Sequence, residues 1–187
     1  MVVAEVGISP TTYERVALRD PDGQWELYHG QLREKPGMSA DHNDVMFELP
    51  HQVRNQLERD AYRIRSNSAR LRVSERNYYI PDVAVIPTAT ARALQGGPHH
   101  LEIYVDPLPL VVEIWSPSTG SYNISEKLAG YQERGDLEIW RIHLYERTLT
   151  PWRRQSDGSY TETQYQEGTI TPEFLPGVTI DLETLFD

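Results

Sequence analysis

Two acidic side chains stand where a strand should carry none. Asp82 lies within IPDVAVI, directly after Pro81, and Glu113 lies within LVVEIW. Both runs are apolar and rich in β-branched residues, the pattern of strands buried in a sheet. A carboxylate in such surroundings is costly unless something pairs with it. Taken singly, each acid is more often a local hydrogen-bonding or ion-pairing residue than a functional one. Taken together they imply more. If the two strands are neighbours, both carboxylates meet at one edge, and like charges at that range do not both stay ionised without a cation. A hard divalent ion with oxygen ligands, Mg2+ or Mn2+, meets that requirement. A third group follows from rarity: the chain has sixteen arginines but two lysines, Lys35 and Lys127. Lys127 comes fourteen residues after Glu113, on the helix expected to follow its strand. A lysine on an amphipathic helix is ordinarily a solvated surface residue. Beside a metal site it is a compact cation that can orient or deprotonate water, or stabilise charge developing on a phosphorane.

The elements that must position these groups can be read from periodicity. Residues 24–35 alternate and turn at His29-Gly30, which predicts a hairpin. Ser39 is a helix cap, and Val45, Leu49, Val53 and Leu57 recur every four residues, predicting an amphipathic helix over about 40–60. Short strands are expected at 62–65, 69–73 and 80–86. The stretch 88–109, with its Gly and Pro residues, reads as a loop or insertion. The run 110–115 is continuously apolar except for Glu113, as in a central strand covered on both faces. SPSTGSYN supplies turn and cap chemistry, and a helix over 124–134 ends at Gly135. A second hairpin joins 137–144 to 148–154 around Glu146-Arg147. The chain closes with a strand near 160–165 and a short final element, DLETLF. Helices and strands intermix with strands in the majority, so the expected class is α+β or mixed α/β, with the sheet as the organising layer.

The chain is 187 residues long, which suits one domain, 1–187, with a sizeable core. It has no internal repeat, and no apolar run approaches the ~20 residues of a membrane helix. The N-terminal stretch has an acid at position 5 and no basic flank, a poor match to a signal peptide. With no cysteine, disulfides and thiolate metal sites are excluded, in agreement with a cytoplasmic location. The net charge of −10 argues against nucleic acid at first sight. Between 54 and 76, however, seven arginines (54, 59, 63, 65, 70, 72, 76) face three acids (Glu58, Asp60, Glu75). They are either the solvated faces of a helix and hairpin or a local phosphate-facing stripe.

The set PDVAV … LVVEIWSPST … EKLAGYQERGDLEIW resembles the Uma2 family of restriction-endonuclease-like proteins, within the PD-(D/E)XK nuclease superfamily. The resemblance starts near WELYHGQL, passes the helix start SADHNDV and ends in LPGVTIDLETLF, so it covers most of the chain. It implies a central mixed sheet flanked by helices, with N-terminal and C-terminal hairpins. It also implies that Asp82 and Glu113 ligate the metal, that Glu26 completes the metal shell or holds a water, and that His42 lies on the rim. The superfamily's lysine two residues after the glutamate is absent, since position 115 is Trp. Uma2-like proteins draw it from the next helix, where Lys127 stands. Two further positions depart from the family pattern. Asn123 replaces a common Asp, where it serves either as a neutral partner positioning Lys127 or as a helix cap, and His143 replaces an acid.

The function expected is Mg2+- or Mn2+-dependent hydrolysis of phosphodiester bonds in DNA, with Asp82 and Glu113 holding the ion and Lys127 aligning the attacking water. Many enzymes of this superfamily act as pairs, so a homodimer is expected, with aromatic residues such as Trp115, Trp140, Trp152 and Tyr145 available to core and interface. The competing class is a catalytically degenerate nuclease fold serving as a binding module or dimeric scaffold, which the acidic charge and the changes at Asn123 and His143 favour. A serine hydrolase built on Ser116, Ser118 and a histidine carries little weight, because there is no G-x-S-x-G elbow and SPST is explained as a turn.

Overall fold

The computed structural model describes residues 7–20, 22–97, 100–115 and 120–187, with the side chains of 120–124 outside the described set. In chain order the elements are α1 (Pro10–Arg19), β1 (Trp25–Tyr28), β2 (Gln31–Glu34), α2 (Ala40–Gln56), β3 (Tyr62–Ser66), β4 (Arg70–Ser74), β5 (Asn77–Tyr79) and β6 (Val83–Pro87). They continue with α3 (Thr88–Ala93), β7 (Ile103–Tyr104), β8 (Leu110–Trp115), α4 (Gly120–Arg134), β9 (Glu138–His143) and β10 (Thr148–Arg154). The chain closes with β11 (Tyr160–Glu162), β12 (Thr169–Ile170), β13 (Ile180–Asp181) and α5 (Leu182–Leu185).

Two sheets carry the architecture. A six-stranded mixed sheet has the order β11-β10-β9-β8-β6-β3, and a five-stranded one the order β2-β1-β5-β4-β7. Within the first, β8 and β9 run parallel and are joined by α4, while β6 is antiparallel to both β8 and β3. The crossover demands a helix on one face, and α2 covers the other. Alternation along the strands then splits the core. Val83, Val85, Val112, Ile114, Trp140 and Ile142 pack toward Val45, Leu49 and Val53 of α2. Ala84, Ile86, Val111 and Ile139 pack with Tyr131 of α4 and with Tyr28, Leu71 and Tyr79 of the second sheet. Thus β8 is apolar on both faces because both faces are covered.

Local chemistry explains the boundaries. Ser39 accepts a hydrogen bond from the His42 amide at 3.2 Å and caps α2, which ends at Gln56, four residues short of the periodicity-based limit. The β1–β2 turn places His29 and Gly30 at φ of 50° and 82°, the left-handed pair that a tight hairpin needs. The expected strand over 80–86 is in fact two strands in different sheets. Pro81 has no amide to donate, so β5 ends at Tyr79, β6 begins at Val83, and Ile80–Asp82 bridge the two sheets. The segment 88–109 is not all loop: it holds α3 and β7, which pairs in parallel with β4. Helix α1, capped by Ser9 with Pro10 at its first position, was not expected. The SPST turn lies largely in 116–119, outside the described residues, and α4 begins at Gly120, ahead of the expected 124. No helix among the described residues is long and apolar enough to cross a membrane.

Candidate active site

The bridge Ile80-Pro81-Asp82 is the hub. The last registered pair between β6 and β8 is Val83 with Val112; Asp82 directly precedes β6 and Glu113 directly follows Val112 on β8, so the two acids come to the same end of the strand pair. Asp82 is 1% exposed and Glu113 8%. The Asp82 Oδ2 accepts from the Ile114 amide at 2.6 Å, and its Oδ1 accepts from Lys35 Nζ at 2.7 Å, with His42 Nε2 3.4 Å away. Glu113 Oε1 accepts from the Tyr131 hydroxyl at 2.6 Å and from Lys127 Nζ at 3.1 Å. Lys127 and Tyr131 are four residues apart and so share the face of α4 that looks onto β8. Glu26, on β1, accepts from the Ile80 amide at 2.6 Å and pairs with Lys127 at 2.8 Å. The Ile80 carbonyl receives Lys35 at 3.0 Å and Lys127 at 3.4 Å.

The structure therefore draws Asp82, Glu113, Lys127, Glu26 and His42 into one buried network. It places two of them otherwise than expected. The cation directly on Asp82 is the ammonium of Lys35, and His42 is 1% exposed, a buried neighbour of Asp82 and not a rim residue. The Asn123 side chain lies outside the described residues, and His143 stacks on Trp115 with ring centroids 4.2 Å apart. Lys35 and Tyr131 were missed. For Lys35 the signal was present: the scarcity that singled out Lys127 applies equally to the chain's other lysine.

Burial opposes ionisation at every carboxylate here, and partners decide the outcome. At Asp82 burial pushes the pKa up, but Lys35 and then His42 outweigh it and hold the carboxyl below the ordinary value. At Glu113 burial prevails over Lys127, the Asp82 charge adds to it, and the pKa rises. Burial would lower the Lys127 pKa, yet Glu113 and Glu26 raise it well above the ordinary lysine value, so it is an ammonium. Burial and the Glu113 charge raise Tyr131, keeping it a hydroxyl donor.

The donor set suits a hard cation in one respect and constrains it in another. Three carboxyl groups, of Asp82, Glu113 and Glu26, meet two lysine side chains, and His42 Nδ1 is buried with no partner among the described residues. Yet no three His, Asp or Glu side chains among the described residues gather in a chelating arrangement. An ion here would be held by two carboxylates, Asp82 and Glu113, and would keep waters or substrate oxygens as its other ligands, as Mg2+ does.

Of the arginines of 54–76, Arg63 and Arg65 stand on β3 and Arg70 and Arg72 on β4, in different sheets, while Arg54 lies on α2 and Arg76 in the β4–β5 turn. Arg65 on β3 is paired with Glu102 through Nε at 2.8 and 2.7 Å, and Arg72 on β4 is paired with Glu75. Arg63 donates to Thr88 at 3.1 Å and Arg76 to the His29 carbonyl at 2.6 Å. Four of the seven guanidinium groups are thus engaged within the protein.

A mixed sheet with helices on both faces, carrying a Pro-Asp and a strand Glu at one margin, defines a domain of the restriction-endonuclease-like class. Its fold is similar to that of a DUF820 protein from Anabaena variabilis, described as "a putative nuclease". The two share 17% sequence identity with a TM-score of 0.72, over 87% of this chain and 89% of that one. The chain belongs to the Uma2 family, whose description is "Putative restriction endonuclease" and whose model matches residues 10–183. No curated protein matches the chain.

Proposed function

We propose that the protein is a metal-dependent endonuclease that hydrolyses phosphodiester bonds in DNA. The observation that carries this reading is Asp82 at the start of β6, hydrogen-bonded to the β8 strand that carries Glu113, with Lys127 3.1 Å from Glu113. Family membership supports DNA as the substrate class. Asp82 and Glu113 would hold the ion, Mg2+ or Mn2+, which when bound supplies Lewis-acid neutralisation of the phosphate and a more acidic water. Lys127, being charged, donates hydrogen bonds: it orients the attacking water and offsets charge on the phosphate oxygens, and it does not serve as the proton acceptor. Glu26 pairs with Lys127 and, through the Ile80 amide, fixes the backbone leading to Asp82. Tyr131 holds the Glu113 carboxylate in one orientation.

The test is cleavage of plasmid and linear DNA with Mg2+ or Mn2+. The wild-type protein should cut, and Asp82→Ala and Glu113→Ala should each cut on the order of a hundred- to a thousandfold more slowly while melting as folded proteins. Undiminished cleavage by both variants would overturn the assignment.

One observation favours a second reading, a degenerate nuclease fold acting as a binding module. Both oxygens of Asp82 and the Oε1 of Glu113 already have partners inside the protein. In that case calorimetry with Mn2+ near neutral pH shows no binding and DNA stays intact. The proposed homodimer is a separate matter, read by sedimentation equilibrium.

A further inference from the structure

Lys35 sits one residue beyond β2, with its side chain 4% exposed. Its backbone is tied to the Gln24 carbonyl at 2.9 Å. Its Nζ donates to Asp82 Oδ1 at 2.7 Å, to the Ile80 carbonyl at 3.0 Å and to the Asn67 side-chain oxygen. An ammonium has three protons, so these acceptors saturate it. The Asn67 amide is turned to suit, with its Nδ2 toward the Met38 and Met46 sulfurs at 2.9 and 3.0 Å.

The two lysines of the site are not equivalent. Lys127 has two carboxylates, Glu113 and Glu26, and stays paired through Glu26 if Glu113 turns to an ion. Lys35 has one carboxylate, and its other acceptors are neutral. Asp82 Oδ2 accepts from the Ile114 amide at 2.6 Å, and Oδ1 is the atom Lys35 holds, with His42 Nε2 3.4 Å away. A divalent ion and an ammonium on the same oxygen repel.

We propose that Lys35 is the internal counter-ion of Asp82, orienting the carboxylate in the ion-free protein and competing with a divalent cation for its Oδ1, so that it sets how tightly the site takes an ion. Lys35 is on this account a positioning residue. The inference rests on the metal-dependent reading above and is tested without reference to cleavage.

Mn2+ binding is measured by calorimetry on the full chain for wild type, Lys35→Met and Lys35→Arg, each checked for a cooperative melt. Lys35→Met, which removes the ammonium's repulsion of the ion, should bind Mn2+ on the order of ten- to a hundredfold more tightly, and Lys35→Arg, which keeps the charge, should stay near wild type. Equal or weaker binding by Lys35→Met overturns the inference and leaves the metal site standing. An absence of binding in all three proteins overturns the metal-dependent reading and the inference with it. Should Lys35→Met not fold, the wild-type protein carries the test. Its two lysines give two side-chain ammonium resonances in a 15N-labelled sample, separated by the Lys127→Arg spectrum. Saturating Mg2+ should shift the Lys35 resonance more than the Lys127 resonance. An unmoved Lys35 signal at saturation sinks the proposal.

Discussion

At Glu113 a buried carboxylate has less compensation than burial demands, and its pKa rises because desolvation wins over Lys127. A raised carboxyl pKa stabilises the fold fully below the ordinary glutamate value, and that contribution is lost as pH climbs through the raised one. Asp82 has the opposite sign: its lowered pKa supplies stability above the ordinary aspartate value and loses it only under stronger acid. Across the mildly acid to neutral range the Glu113 contribution therefore falls as pH rises, while the Asp82 contribution holds. Glu113→Gln should gain stability relative to wild type as pH rises, by up to about 1.4 kcal/mol per pH unit inside its titration window. Thermal melts at the two ends of the range check it, and a constant gap would contradict it. Asp82 and Glu113 were legible as a pair because each violates the apolar pattern of its run. Its rarity marked Lys35 as well, but spacing could not join it to Asp82, forty-seven residues away.

Helix α4 must approach the second sheet closely enough for Lys127 to reach Glu26. Gly130, between Lys127 and Tyr131, permits it: a Cβ there would stand 2.8 Å from the Tyr79 ring and 3.3 Å from Val73. Gly130→Ala should gain about 1 kcal/mol of helix propensity and lose about 1–3 kcal/mol to overpacking. The expected result is a lower Tm, together with slower DNA cleavage as the helix lifts Lys127 from the carboxylates. A raised Tm would show that the contact yields. Periodicity identified α2, β8 and the two hairpins well, since each buries a regular face. It failed at Ile80–Asp82, where one apolar run serves two sheets and only the missing amide of Pro81 marks the change. It also missed β7, two residues held by pairing with β4, and α3, a six-residue helix with no side-chain cap, each of which leaves little local trace.

Across the whole molecule, the C-terminal segment completes the core against α2. Leu175, Val178, Ile180, Leu182 and Leu185 are all buried in the cluster that contains Val45, Leu49 and Val53. Removing a buried leucine or isoleucine side chain costs about 2–5 kcal/mol, so a chain ending at 167 forfeits more than the roughly 5–15 kcal/mol that holds a typical domain together. Such a truncation should show no cooperative melt, and a sharp transition would place the segment outside the core. The family resemblance ran to this segment, and the packing explains why a nuclease-like sheet needs it: without β13 and α5 one face of α2 stays bare. The same burial has a consequence for handling the protein. With both lysines shut inside the site, the folded surface displays no lysine ammonium. Amine-directed acylation finds no exposed lysine to modify, so any adduct at 35 or 127 records a moment when the interior stood open.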